Sequence, residues 1–109
     1  MLAKKFKIPS SVLKKKIFFP AFKGKYLTVK KSKNNLSYSR FSVIISRFYD
    51  QRSVYRHRLK RQIFSLIQNF SFKITAGYDI IIFISRSVTS QSDPAPLFSE
   101  IKNFIFNLK

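Results

Sequence analysis

Arg52-Ser53-Val54-Tyr55-Arg56-His57-Arg58-Leu59-Lys60-Arg61-Gln62-Ile63 is the stretch whose reading decides the fold. Five permanent cations and one histidine fall within positions 52–61, and the chain runs on into Phe64-Ser65-Leu66-Ile67-Gln68-Asn69-Phe70. Leu59, Ile63, Leu66, Ile67 and Phe70 recur at i, i+4, i+7, i+8 and i+11, the spacing of one apolar helix stripe. At about 100° per residue, His57, Lys60 and Arg61 are expected nearly opposite that stripe. Arg56 and Arg58 flank the boundary, where a long side chain lays its stem on apolar surface and keeps its charge in water. The segment therefore predicts a helix with a core face and a cationic face. No carboxylate lies between Asp50 and Asp79, so those charges must be met from outside the helix.

Composition extends the same imbalance. The chain of 109 residues has 22 Lys and Arg against four Asp and Glu, a net charge of +18. It is expected to form one domain over residues 1–109, with enough apolar residues (45%) to bury a core. A packed domain repels itself at that charge unless a polyanion screens it. Nucleic acid is the leading polyanion and an anionic membrane the second. The chain has no cysteine, which removes disulfides and thiolate zinc sites and fits a reducing cytoplasm. The longest unbroken apolar run, Ile80 to Ile84, is far too short to span a bilayer. Met1 to Lys7 is basic without the apolar region of a secretory signal.

Around the basic helix the chain reads in order. Lys4 to Lys7 is a short basic arm. Pro9-Ser10-Ser11 offers hydroxyl caps for a short helix carrying Val12, Leu13 and Ile17, and Pro20 stops it. Gly24 to Lys31 and Arg40 to Ser46 read as strands, the second with Phe41, Val43 and Ile45 on one face. Ser32-Lys33-Asn34-Asn35 is a turn by composition, so the two strands are expected to pair as an antiparallel hairpin. Ala76-Gly77 stops the basic helix before a strand, Asp79 to Ser85, whose apolar run predicts cover on both faces. Leu97, Ile101, Phe104, Ile105 and Leu108 repeat the stripe of the basic helix after an Asp93-Pro94 start. The polar side of this last helix is mild. A stripe of this kind therefore packs without a charged back, and the charge of Arg52 to Arg61 has another use.

Catalytic chemistry is scarce. Asp50, Asp79, Asp93 and Glu100 are spread along the chain, with Asp79 read as a strand-edge residue and Asp93 as a helix cap. A two-metal nuclease needs carboxylates held together. His57 is the only histidine and has no acid beside it, and two glycines cannot build a phosphate-cradling loop. No catalytic residue and no metal ligand is assigned. The positive signal is cations interleaved with 13 Phe and five Tyr. Most of these rings belong in a core, and some are candidate stacking platforms for unpaired bases.

The order strand, strand, basic helix, buried strand, amphipathic helix, with Arg56-His57-Arg58-Leu59-Lys60-Arg61 opening the basic helix, resembles the protein subunit of bacterial ribonuclease P. Arg56, Arg58, Lys60 and Arg61 match that family's Arg-Asn-Arg-x-Lys-Arg signature. Ser46-Arg47 matches its Ser-Lys-Lys strand ending, and Tyr78-Asp79-Ile80-Ile81-Ile82 matches its later strand. The resemblance covers roughly Tyr26 to Leu108. His57 stands where the family has Asn, Phe48 replaces the second Lys, and Tyr49 to Tyr55 is one residue longer.

The resemblance implies an α+β fold (an α/β sandwich) with a mixed four-stranded sheet, in the order α-β-β-β-α-β-α. It also implies a left-handed crossover, against the usual rule. An RNA partner with bound Mg2+ would hydrolyse precursor tRNA, and this accessory subunit would hold no cofactor of its own. It would contact ribonuclease P RNA through Arg47, Arg52, Arg56, His57, Arg58, Lys60 and Arg61. It would also hold the single-stranded 5′ leader in a cleft. The family lines that cleft with two helix aromatics. Here the matching positions are Leu13 and Ile17, and Phe19, Phe22 and Tyr26 are candidates to replace the missing rings. No membrane and no small-molecule substrate is implied, and a cytoplasmic location is expected. A structural RNA-binding protein of ribosomal type would share the charge and fold class but would not stimulate cleavage. A membrane-active cationic protein would need apolar faces open to lipid, whereas both helices here have strands to pack against.

Overall fold

The computed structural model describes residues 7–69 and 77–107, with side chains to Phe104. Its elements are α1 (Ser10–Lys15), β1 (Phe19–Lys23), β2 (Leu27–Lys33), β3 (Arg40–Ile44), α2 (Ser53–Asn69), β4 (Tyr78–Ile84) and α3 (Ala95–Asn107). The strands form one mixed sheet in the order β1-β2-β4-β3. The α+β class and element order follow the expectation. Phe70, Ala76, Leu108, most of the basic arm and the side chain of Ile105 lie outside the described residues.

The hairpin expected between β2 and β3 does not form. β4 lies between them, antiparallel to β2 with Val29 opposite Ile82, and parallel to β3 with Val43 opposite Ile82. The connection over residues 34–39 is long enough to step across one intervening strand, a lateral move of about 10 Å. β4 is the most apolar strand, and the central place pairs its backbone on both edges. A parallel partner demands a crossover element, and α2 is that crossover. β2 finds its hairpin on the other side with β1, a strand that the implied element order counts but that no residue pattern locates. Its register shifts between Pro20 and Phe22. Pro20 therefore sits on an edge strand, where its missing N–H leaves no central ladder unsatisfied.

One sheet face carries the core. Leu27, Val29, Phe41, Val43, Ile80, Ile82 and Ile84 meet Leu59, Ile63, Phe64 and Ile67 of α2 and Leu97, Ile101 and Phe104 of α3. Each fully buried Leu or Ile contributes about 1.5–3 kcal/mol. Phe64 widens the buried arc of α2 beyond the predicted stripe. Ile8 is buried and its N–H donates to the Phe41 carbonyl, adding a strand-like segment beside β3. The Lys7 ammonium lies 5.3 Å from the centre of the Phe64 ring.

Two carboxylates hold the periphery to this core. Asp79, read from the sequence as a strand-edge residue, is fully buried near the start of β4, inside the sheet. It accepts from Arg40 Nε at 2.8 Å and Nη2 at 2.7 Å, from Asn34 Nδ2 at 3.0 Å, and from Lys16 Nζ at 3.1 Å. One residue thereby fastens the end of α1, the turn before β3 and β3 itself to β4. Burial alone would raise its carboxyl, but the Arg40, Asn34 and Lys16 hydrogen bonds outweigh it and hold the group below the usual carboxylate range. Glu100 of α3 accepts the backbone N–H groups of Lys25, Tyr26 and Leu27 at 3.1, 2.8 and 3.1 Å. Gly24 precedes that turn because a Cβ there would collide with the Glu100 carboxylate.

Candidate nucleic-acid interface

The cationic side of α2 follows from its buried side. Leu59, Ile63 and Ile67 face the sheet, which leaves His57, Arg58 and Arg61 exposed. Lys60 is half-buried on the flank, not opposite the stripe, because it follows Leu59 by only about 100°. Arg47, in the turn after β3, is exposed.

Arg56 and Arg52 have duties within the protein. Arg56 Nη1 donates to the carbonyls of Asp50 at 2.7 Å and Gln51 at 2.9 Å, which ties the loop before α2 to the helix. Arg52 pairs with Asp50 through Nε and Nη2, both at 3.1 Å, and its guanidinium lies 4.1 Å from the Tyr55 ring centre. The Arg52 side chain, the Arg52 N–H and the Ser90 hydroxyl hold the Asp50 carboxyl well below the usual carboxylate range. Asp93 accepts from Ala95 N–H at 3.0 Å and caps α3, as its sequence position predicts.

All four carboxylates of the chain are thus engaged in turns, caps and ion pairs. Among the described residues, Arg47, His57, Arg58, Lys60 and Arg61 have no carboxylate within ion-pair distance. The same engagement separates the acids, and no group of three or more metal-ligating side chains gathers among the described residues.

The second surface is the sheet face away from the core. Strand alternation and register put Thr28, Lys30, Ser42, Ile44, Ile81 and Phe83 there, with Thr28 and Ile44 flanking Phe83. Ile81 is buried, Phe83 half-buried and Ile44 exposed, so this face is apolar and partly open. The Lys30 ammonium lies 5.6 Å from the Phe83 ring centre. The Lys16–Asp79 pair fixes one end, and residues 16–18 run from it to the edge strand β1.

The leader candidates separate by environment. Phe22 lies opposite Val29 and packs on the core, its ring 5.8 Å from that of Phe104. Tyr26 also packs against the core, beside the turn that Glu100 holds. Leu13 is half-buried on α1, which has no side-chain cap and ends at Lys15. Ile17 lies beyond that helix end and is 74% exposed, and Phe19 at the start of β1 is 64% exposed. Sequence reading missed Lys30 and Phe83 on the open face. An unbroken apolar strand does not disclose which face is covered; the period-2 signal that would separate them is absent.

A family model described as Ribonuclease P matches residues 10–109. The ribonuclease P protein component of Pseudanabaena is 25% identical over 81% of this chain and 76% of its own length. That of Synechocystis is 36% identical over 43% of this chain, a stretch spanning 38% of the curated relative. The ribonuclease P protein of Thermotoga maritima superposes with a TM-score of 0.72 over 92% of this chain and 90% of its own, at 18% identity, a likeness of fold.

Proposed function

Because this chain belongs to the ribonuclease P protein family, we propose that it is the cytoplasmic protein subunit of ribonuclease P, assisting a catalytic RNA in removing the 5′ leader of precursor tRNA. The observation that carries this reading is the row of cations on α2 with no carboxylate to meet them. Phosphate is the chemistry that fits. Arg58, Arg61 and His57, with Lys60 on the flank and Arg47 in the adjacent turn, neutralise closely spaced phosphates and release their counterions. Arg56 and Arg52 shape the loop that presents them, and their remaining donors reach RNA from there.

Mg2+ is assigned to the RNA partner, where it supplies the hydrolytic chemistry of phosphodiester cleavage. The protein's own acids are engaged one by one in structural bonds, and no step passes through a metal on this chain. The leader is taken as an extended single strand along the open sheet face, where Phe83 offers a ring and Lys30 a charge. Ile17 and Phe19 stand on the segment bordering it. Stacking of this kind is tolerant of sequence because every base has a π face.

The test is to add the protein to bacterial ribonuclease P RNA and a precursor tRNA at low magnesium. Cleavage is expected to rise, and the protein without RNA is expected to cleave nothing. Tight binding without stimulation would support a structural RNA-binding role of ribosomal type, and cleavage by RNA-free protein would overturn the assignment.

A further inference from the structure

Phe48 has no place in the reading above. It stands where the resembling family carries a lysine, and it is 60% exposed. Its partner is Arg86, whose guanidinium carbon lies 4.4 Å from the ring centre. The two sit in turns that leave the ends of adjacent parallel strands, β3 and β4.

Both turns are held firmly. Tyr49 N–H donates to the Ser46 carbonyl at 3.1 Å and Phe48 N–H to Ser46 Oγ at 3.2 Å. Val88 N–H donates to the Ser85 carbonyl at 3.1 Å, and Ser85 Oγ and Ser87 Oγ lie 3.0 Å apart. Ser90 then bonds the turns to each other, its N–H to the Tyr49 carbonyl at 2.9 Å and its hydroxyl to Asp50 at 2.7 Å. An exposed ring on a braced backbone loses little freedom when something stacks on it, which is the condition for a preorganised contact.

We infer that Phe48 and Arg86 form a stacking platform for an unpaired nucleobase of the RNA partner, beside the cationic face of α2; this rests on the RNA-binding reading above. Arg86 covers one ring face and the exposure of Phe48 leaves the other free. Arg47, exposed one residue away, and Arg86 are placed for the phosphates on either side of such a base. Asp50, the nearest carboxylate in sequence, is taken by Arg52 and Ser90. An apolar protein partner would have to desolvate these guanidinium groups without pairing them, whereas a nucleotide offers both a π face and an anion.

The platform is tested by fluorescence anisotropy on a short labelled single-stranded oligoadenylate and on the same strand with abasic sugars. Wild type, Phe48→Ala, Phe48→Leu and Phe48→Trp are compared over a salt series, with melting temperatures on the same preparations. Phe48→Ala and Phe48→Leu should melt with wild type and bind the base-bearing strand roughly five- to hundredfold more weakly. Phe48→Trp should keep the affinity. The salt slope should not change, since no charge is removed, and the loss should shrink on the abasic strand. Equal binding by all four proteins overturns the platform alone, as does wild type binding the two strands equally. Failure of wild type to bind either strand overturns the RNA reading beneath it.

Discussion

Replacing Asp79 with alanine should cost this protein a large part of its stability at neutral pH. The carboxylate is fully buried and receives four hydrogen bonds, three of them from the cations Arg40 and Lys16. With charge centres about 4 Å apart and an effective dielectric near 20, each ion pair is worth about 4 kcal/mol before desolvation. Removing one partner of a buried pair costs about 3–5 kcal/mol, because the other charge is left uncompensated. The side chains of Arg40 and Lys16 keep 17% and 25% of their exposure and regain some water, so the expected loss lies near the lower bound, about 3 kcal/mol. Against a typical domain stability of about 5–15 kcal/mol, that is severe.

The pH dependence has a definite sign. The folded-state pKa is depressed below the unfolded value. The stabilisation is therefore complete above the unfolded value, near 4, and is lost as pH falls through the folded one. Urea titrations followed by circular dichroism at pH 7 and at descending acid pH measure both effects. Asp79→Asn should soften the loss at pH 7 and flatten the acid limb attributable to this group. A loss below about 1 kcal/mol for Asp79→Ala, or an unchanged acid limb in Asp79→Asn, would refute the hub as an electrostatic anchor.

Four further outcomes are expected. Replacing Arg58 and Arg61 together with alanine should reduce the log–log salt slope of RNA binding by about 1.4–1.8 while leaving the melting temperature unchanged, as filter binding and thermal melts would register. Gly24→Ala should displace Glu100 from the N–H groups of Lys25, Tyr26 and Leu27 and cost about 1–3 kcal/mol, read from the urea midpoint at constant m. Phe22→Ala should cost about 3 kcal/mol through lost packing on Phe104 and weaken precursor and mature tRNA alike. Phe19→Ala should melt normally and weaken only the precursor, by about 1–3 kcal/mol if its ring carries a leader base.

Much of this protein was legible in its residues. The 3.6-residue recurrence of Leu59, Ile63 and Ile67 foretold the buried side of α2, and that of Leu97, Ile101 and Phe104 foretold α3. Periodicity reports how one element meets a core whatever that core is made of, so it survives ignorance of the partner. Charge imbalance is equally local to read: +18 with four acids leaves cations unpaired in any fold. A polyanion partner was therefore arguable from composition.

Only the tertiary structure decided which strand is central, which arginines are occupied and which rings are open. The turn composition at Ser32 to Asn35 suits a hairpin, yet the backbone of β4 had stronger need of both neighbours. Arg56 matches an RNA-binding signature, but its donors reach the carbonyls of Asp50 and Gln51, a loop closure that no spacing rule encodes. Asp79 meets Lys16 across 63 positions and Glu100 meets Tyr26 across 74. Phe19 and Phe22 stand three residues apart, and the register shift in β1 sets them opposite Lys31 and Val29 on one face; Phe104 meets Phe22 in the core, whereas Phe19 at the start of the strand stays exposed. Burial and hydrogen-bond satisfaction at these sites are settled between residues distant in the chain, and a local pattern carries no information about who arrives there.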